Sequence, residues 1–246
     1  MKNVLKALAG LWRPECHKRG KVKNTFNIFG IIAIVVMMGF SMTACDSLLE
    51  ERGETSVGQH GIIFMRIGET YEVSGVSAEN RPLTGALAIP ATHNGLPVTA
   101  IRRRALERNQ LTSVTIPNSV TAIRDDAFLG NHLVSASIPN SVTTIGAGAF
   151  MGNQLASLHI PNSVTVIDAM AFQMNQLTSI TIPNSVTTIL ADAFLGNRLT
   201  SVHIPSSVTV IGMGAFRMNP LTSVRVPEAA ILGAGAFDNG VEIIRF

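Results

Sequence analysis

Leu111, Leu133, Leu155, Leu177, Leu199 and Leu221 recur every 22 residues, and Phe128, Phe150, Phe172, Phe194 and Phe216 recur with the same period. Two apolar columns locked to one spacing demand that each unit reproduce its neighbour's geometry, which restricts the chain to a stack of similar turns. One unit reads Leu111-Thr-Ser-Val114-Thr-Ile116-Pro117-Asn-Ser-Val120-Thr-Ala-Ile123-Arg-Asp-Asp-Ala127-Phe128-Leu-Gly-Asn131-His132, and the next four vary it little. An earlier, degenerate copy sets Leu87, Ile89, Pro90, Val98, Ile101, Ala105 and Leu106 in the same slots, with extra residues around His93-Asn94-Gly95. The last copy lacks one residue between Pro227 and Phe237 and another before Val241, and the sequence closes with Val241, Ile244 and Phe246 in strand register.

Within a unit, Val114 and Ile116 alternate with Ser113 and Thr115, so the apolar pair faces inward and the polar pair outward. Pro117 has no N–H for a ladder and ends the strand, and Asn118-Ser119 suits the turn after it. Val120, Ile123, Ala127 and Phe128 bring the chain back with their apolar sides on the same interior. A lone turn of this kind exposes both flanks of its few apolar residues and cannot offset the entropy of ordering them; stacking buries those flanks and pairs the strands. The expectation is a β-rich solenoid with a parallel β-sheet and about eight rungs of 22 residues.

The I-P-N-S-V-T-x-I-x-x-x-A-F core at residues 116–128, 138–150, 160–172 and 182–194, with Ser206 replacing Asn in the next copy, resembles the BspA-like, treponemal-type leucine-rich repeat. The stretch from Tyr71 to Ile101, with Asn94-Gly95-Leu96-Pro97-Val98-Thr99, is similar to the first unit of such proteins, so the resemblance covers about residues 70–246. It implies a right-handed leucine-rich repeat coil. It also implies a bacterial cell-surface protein, since known members are largely of that kind and some resemble adhesins.

The front of the chain differs in kind. Lys2, Lys6, Arg13, Lys18, Arg19, Lys21 and Lys23 precede an uncharged run from Phe26 to Ala44, which reads as the core of a signal peptide. The run ends Ser41-Met42-Thr43-Ala44-Cys45, which resembles a lipobox, with Met42 in place of the usual Leu. Cys45 is therefore the expected lipidation site and membrane anchor; the alternative is an uncleaved anchor helix. Both place residues 46–246 outside the cytoplasm, and the expected home is the outer membrane and cell surface. Residues 1–44 hold seven basic groups and one acid, so their removal shifts the formal charge from +3 to −3. Nucleic-acid binding loses its support with them. The exported part keeps no cysteine pair, hence no disulfide and no cysteine-based metal site. The expected divisions are a lipoprotein signal peptide (1–44), a flexible tether (45–60), an N-terminal β-hairpin cap turning at Gly68-Glu69 (61–82) and the solenoid (83–246).

The outward strand face carries two columns: Ser113, Ser135, Ser157, Ser179, Ser201 and Ser223; and Thr115, Ser137, His159, Thr181, His203 and Arg225. A regular serine sheet gives hydrogen bonds but little anchoring, so ligand binding is expected where the monotony breaks: Ser157, His159, Thr181, Ser201, His203, Ser223 and Arg225. His159 and His203 lie two coils apart, about 10 Å, too far to share one metal ion. The buried ladder Asn109, Asn131, Asn153, Asn175, Asn197 and Asn219 should bond the backbone of adjacent turns. Arg103 and Arg104 fall one period before Asp125 and Asp126, which predicts cross-coil ion pairs rather than a phosphate patch.

No nucleophile elbow, His-Glu-x-x-His or phosphate loop occurs, so neither an enzyme nor a cofactor is expected. The first reading is a surface lipoprotein that binds an extracellular or cell-surface protein, as adhesion to host or partner cells requires. The alternative is a periplasm-facing structural or glycan-binding envelope module, against which stands the scarcity of aromatics: beyond the core phenylalanines only Tyr71 is left to stack on a sugar. The final strand also predicts end-to-end pairing of two copies.

Overall fold

A computed structural model describes residues 54–246. The signal peptide, Cys45 and most of the tether lie outside the described residues. Structure begins before the expected end of the tether: Thr55–Val57 forms β1, antiparallel to β2 (Ile62–Ile67). A three-residue strand whose only large apolar residue is Val57 leaves no period in the sequence. β2 turns at Gly68-Glu69 into β3 (Thr70–Val76), and β3 then pairs in parallel with β6 (Leu96–Ile101), so hairpin and first coil share one sheet. Between them a short ribbon pairs β5 (Thr92–His93) with β6, using the extra residues around His93-Asn94-Gly95.

The solenoid has two strand walls. On the first, β4 (Thr84–Ala88), β7 (Gln110–Thr115) and β9 (Ser135–Ser137) pair in parallel; single bridges join His159, Thr181, His203 and Arg225; and β14 (Ser223–Val226) pairs with β16 (Glu242–Arg245). That wall has eight rungs. The second wall has seven: β6, β8 (Ala122–Ile123), β10 (Thr144–Ile145), β11 (Val166–Ile167), β12 (Thr188–Ile189), β13 (Val210–Ile211) and β15 (Ile231–Leu232). The result is a parallel β-solenoid of about seven complete turns. Its strands are short because Pro117 and its equivalents end the first wall after Ile116, and left-handed residues soon end the second.

A third side, the return turn, closes each coil. Its own backbone ladder runs from Phe128 N–H to Ala149 O (2.8 Å), Phe150 to Ala171 (2.9 Å), Phe172 to Ala193 (2.9 Å) and Phe194 to Ala215 (2.8 Å). Inside it Phe128, Phe150, Phe172, Phe194, Phe216 and Phe237 stack with centroids 5.1–5.8 Å apart and planes within 17°. The leucines of the 22-residue column are buried beside them. Both columns thus form one continuous core, as the period required.

One coil step is looser than the rest. Among the described residues, no strand pair or bridge links β10 to β11, or Ser137 to His159. The bonds from Gly146 to Ile123, Leu190 to Ile167 and Gly212 to Ile189 have no counterpart from Asp168 to Ile145. The return turn still crosses this step, through Gly148 N–H to Ala169 O and Gly152 N–H to Gln173 O, both 2.9 Å. The Phe150–Phe172 spacing there is the widest of the stack, 5.8 Å.

Candidate binding face

The first wall places the predicted contact residues on one exposed strip. His159 pairs in register with Thr181, Thr181 with His203, and His203 with Arg225, each one coil from the next, and all four are exposed. The isoleucines and valine next to them in the chain, Ile160, Ile182, Ile204 and Val226, are at most 2% exposed, so alternation fixes which way the four point. Ser157, Ser201 and Ser223 lie two positions earlier on the same face, also exposed.

Arg225 differs from its neighbours. It pairs with Ile244, and its guanidinium lies over the ring of Phe246, 5.1 Å from the centroid. A cation over a ring is attracted to the negative π face and held in place. Phe246 is 43% exposed, whereas Tyr71 is 6% exposed and packs edge-on against Phe64 and His93. Among the described residues the aromatic open to a ligand is therefore Phe246, not Tyr71. The two deletions read from the sequence would align Ile244 with Val224 and Phe246 with Val226, but the strands pair 19 residues apart, with Ile243 on Val224 and Ile244 on Arg225, and that further one-residue shift hides the contact.

The asparagine ladder is bound as expected. Asn153 Nδ2 donates to the carbonyls of Phe128 and Phe150, both at 3.0 Å, while its Oδ1 accepts the N–H of Leu133 at 3.1 Å. Asn131, Asn175, Asn197 and Asn219 repeat the pattern. These side chains are spent on structure. So are Ser141, Ser185 and Ser207, whose hydroxyls each donate to a valine carbonyl of the preceding coil at 2.7 Å.

Of the two expected cross-coil ion pairs one forms: Arg104 Nε lies 3.2 Å from Asp126 Oδ2. Asp125 instead accepts the backbone N–H of Ala147, and Arg103 makes no ion pair among the described residues. The sequence did not disclose a stronger centre. Glu72 on β3, with its side chain 9% exposed, meets Arg102 at 3.2 Å and Arg124 at 2.6 Å, tying the hairpin to two coils. Its partners stand 30 and 52 residues away, off the repeat period. Also unforeseen is the bond between Ser56 Oγ and His93 Nε2 at 2.7 Å, which pins β1 to the ribbon. Among the described residues no three His, Cys, Asp or Glu side chains gather as metal ligands, and no helix is long and apolar enough to cross a membrane.

Stacked coils of 22 residues, a parallel strand on each and an exposed polar strand face define a leucine-rich repeat protein. The BspA type leucine rich repeat region matches residues 99–243 in six copies, and the chain belongs to that family. Its fold is similar to that of a leucine-rich repeat protein of T. pallidum, with 23% identity, a TM-score of 0.58, and coverage of 76% of this chain and 86% of that one. The pneumococcal vaccine antigen PcpA is 18% identical over 78% of this chain and 70% of that one, at a TM-score of 0.48. A leucine rich cell surface protein from Faecalibacterium prausnitzii A2-165 is 22% identical over 78% and 76%, at 0.37. Comparison with curated proteins returns no match.

Proposed function

We propose that this chain is a non-catalytic surface lipoprotein, anchored through Cys45 in the outer membrane, whose strand face binds an extracellular or cell-surface protein in adhesion. The observation that carries the reading is the in-register, exposed column His159–Thr181–His203–Arg225, flanked by Ser157, Ser201 and Ser223. Aromatic and arginine side chains anchor protein interfaces more strongly than serine or threonine, and Arg225 is already positioned by Phe246. Membership of the BspA-type family supports the same reading.

The test is binding of the full-length chain to immobilised matrix and cell-surface proteins, comparing the native chain with H159S/H203S/R225S. The variant should lose about tenfold or more in affinity, the loss of one strong anchor, while R103S, off this face, binds as the native chain does. Equal binding by the triple variant would overturn the assignment of the face. A glycan-binding role has one supporting observation, the exposed Phe246, and the same triple variant tested with F246A on a glycan array separates it from protein binding. Pairing of two copies along β16, where Ile243, Ile244 and Phe246 are 36–43% exposed, predicts dimers in light scattering that I244P removes.

A further inference from the structure

The return-turn side carries a second exposed feature, of different chemistry. Met170, Met174, Met213 and Met218 are 38%, 47%, 57% and 58% exposed, and none belongs to the buried core. Three of them sit where the backbone is left-handed: φ is +57° at Met170, +54° at Met174 and +58° at Met218. Several of the equivalent turns hold glycine: Met170 shares its column with Gly148 and Gly214, beside the left-handed Arg104, Asp126 and Asp192, and Met174 and Met218 share theirs with Gly130, Gly152 and Gly196, beside the left-handed Arg108. A long side chain there costs backbone strain that glycine avoids, and it contributes no core packing in return. Met174 lies against the next coil, its Sδ 2.7 Å from the point a Cβ on Gly196 would occupy.

We infer that this side is a sulfoxidation site: a set of exposed thioethers that takes up a two-electron hypohalous oxidant ahead of the rest of the described chain. The sulfur lone pair attacks the chlorine of hypochlorous acid, expelling hydroxide. Water then adds to the chlorosulfonium, chloride leaves, and the sulfoxide oxygen keeps the new S–O bond. Sulfur is oxidised by two electrons, chlorine is reduced to chloride, and the net products are sulfoxide and HCl. Reactivity of a thioether follows its exposure, and since these four side chains lie outside the core their conversion to a polar sulfoxide leaves the coils intact. Two other methionines are internal controls. Met151 and Met65 are both half-buried, and Met65 Sδ also accepts a hydrogen bond from Arg102 Nη1 at 3.1 Å, which engages one of the sulfur's two lone pairs.

The test is titration of the full-length chain with hypochlorous acid at one to four equivalents, quenched and read by peptide mass spectrometry, with far-ultraviolet circular dichroism in parallel. Met170, Met174, Met213 and Met218 should gain oxygen first, with Met65 and Met151 oxidised about tenfold less, and the β signal should hold. In M170G/M174G/M213L/M218G, whose glycines match those of sister coils, the same dose should raise oxidation of Met65 and Met151 several-fold; M213L alone, at a residue without positive φ, should give a smaller rise. Uniform oxidation of all six, a β signal that falls with the first equivalents, or variants that leave Met65 and Met151 unchanged would each overturn the inference.

Discussion

Asn175 Nδ2 donates to the carbonyl of Phe150 one coil earlier, at 2.9 Å, and to that of Phe172 in its own coil, at 3.2 Å. With a longer bond to the Gln173 carbonyl at 3.3 Å and the N–H of Leu155 donating to its Oδ1, one amide meets four buried backbone groups at the point where two coils meet. Replacing Asn175 by Ala strands a buried donor and should cost about 3 kcal/mol. Chemical denaturation measures this, and a cost below experimental error would show that the ladder is ornamental.

Phe172 is 1% exposed and stacks at 5.8 Å on Phe150 and 5.6 Å on Phe194. Phe172→Ala opens a cavity in the centre of the stack and should cost about 3–5 kcal/mol. An unchanged melting temperature would defeat the nearest-neighbour packing account.

Glu72 is buried while Arg102 and Arg124 are 36% and 49% exposed. Loss of the carboxylate therefore leaves two arginines that water can reach, and Glu72→Ala should cost about 2 kcal/mol. R102A/R124A should cost more, because it leaves the carboxylate buried and unpaired. The reverse order in denaturant titrations would refute the arrangement.

The missing ladder bonds between β10 and β11 predict a weak coil step. In native-state hydrogen exchange the amide of Asp168 should exchange faster than those of Gly146, Leu190 and Gly212, which are bonded to the preceding coil. Equal protection at all four would remove the seam.

The periodic part of this fold is legible because the same residue types recur at one spacing: the leucine and phenylalanine columns, the Pro117 strand stop, and the inward asparagines arise from local chemistry copied turn after turn. What lies outside the period is hidden. The Glu72 cluster joins two arginines one period apart to a carboxylate that stands outside the repeats, β1 has too few residues to show alternation, and the Arg225–Phe246 contact is displaced because the last strand pairs 19 residues on rather than 22. The candidate column at His159, Thr181, His203 and Arg225 is readable as a break in monotony. The set of exposed methionines is not, because a surface methionine gains meaning only once its exposure and left-handed backbone are known.

Surface presentation of the repeats is the central claim, and protease shaving of intact cells tests it most directly. Probed alongside a periplasmic control that survives, the repeat domain should be lost. Full protection of the repeats would contradict surface display and favour a role in envelope assembly.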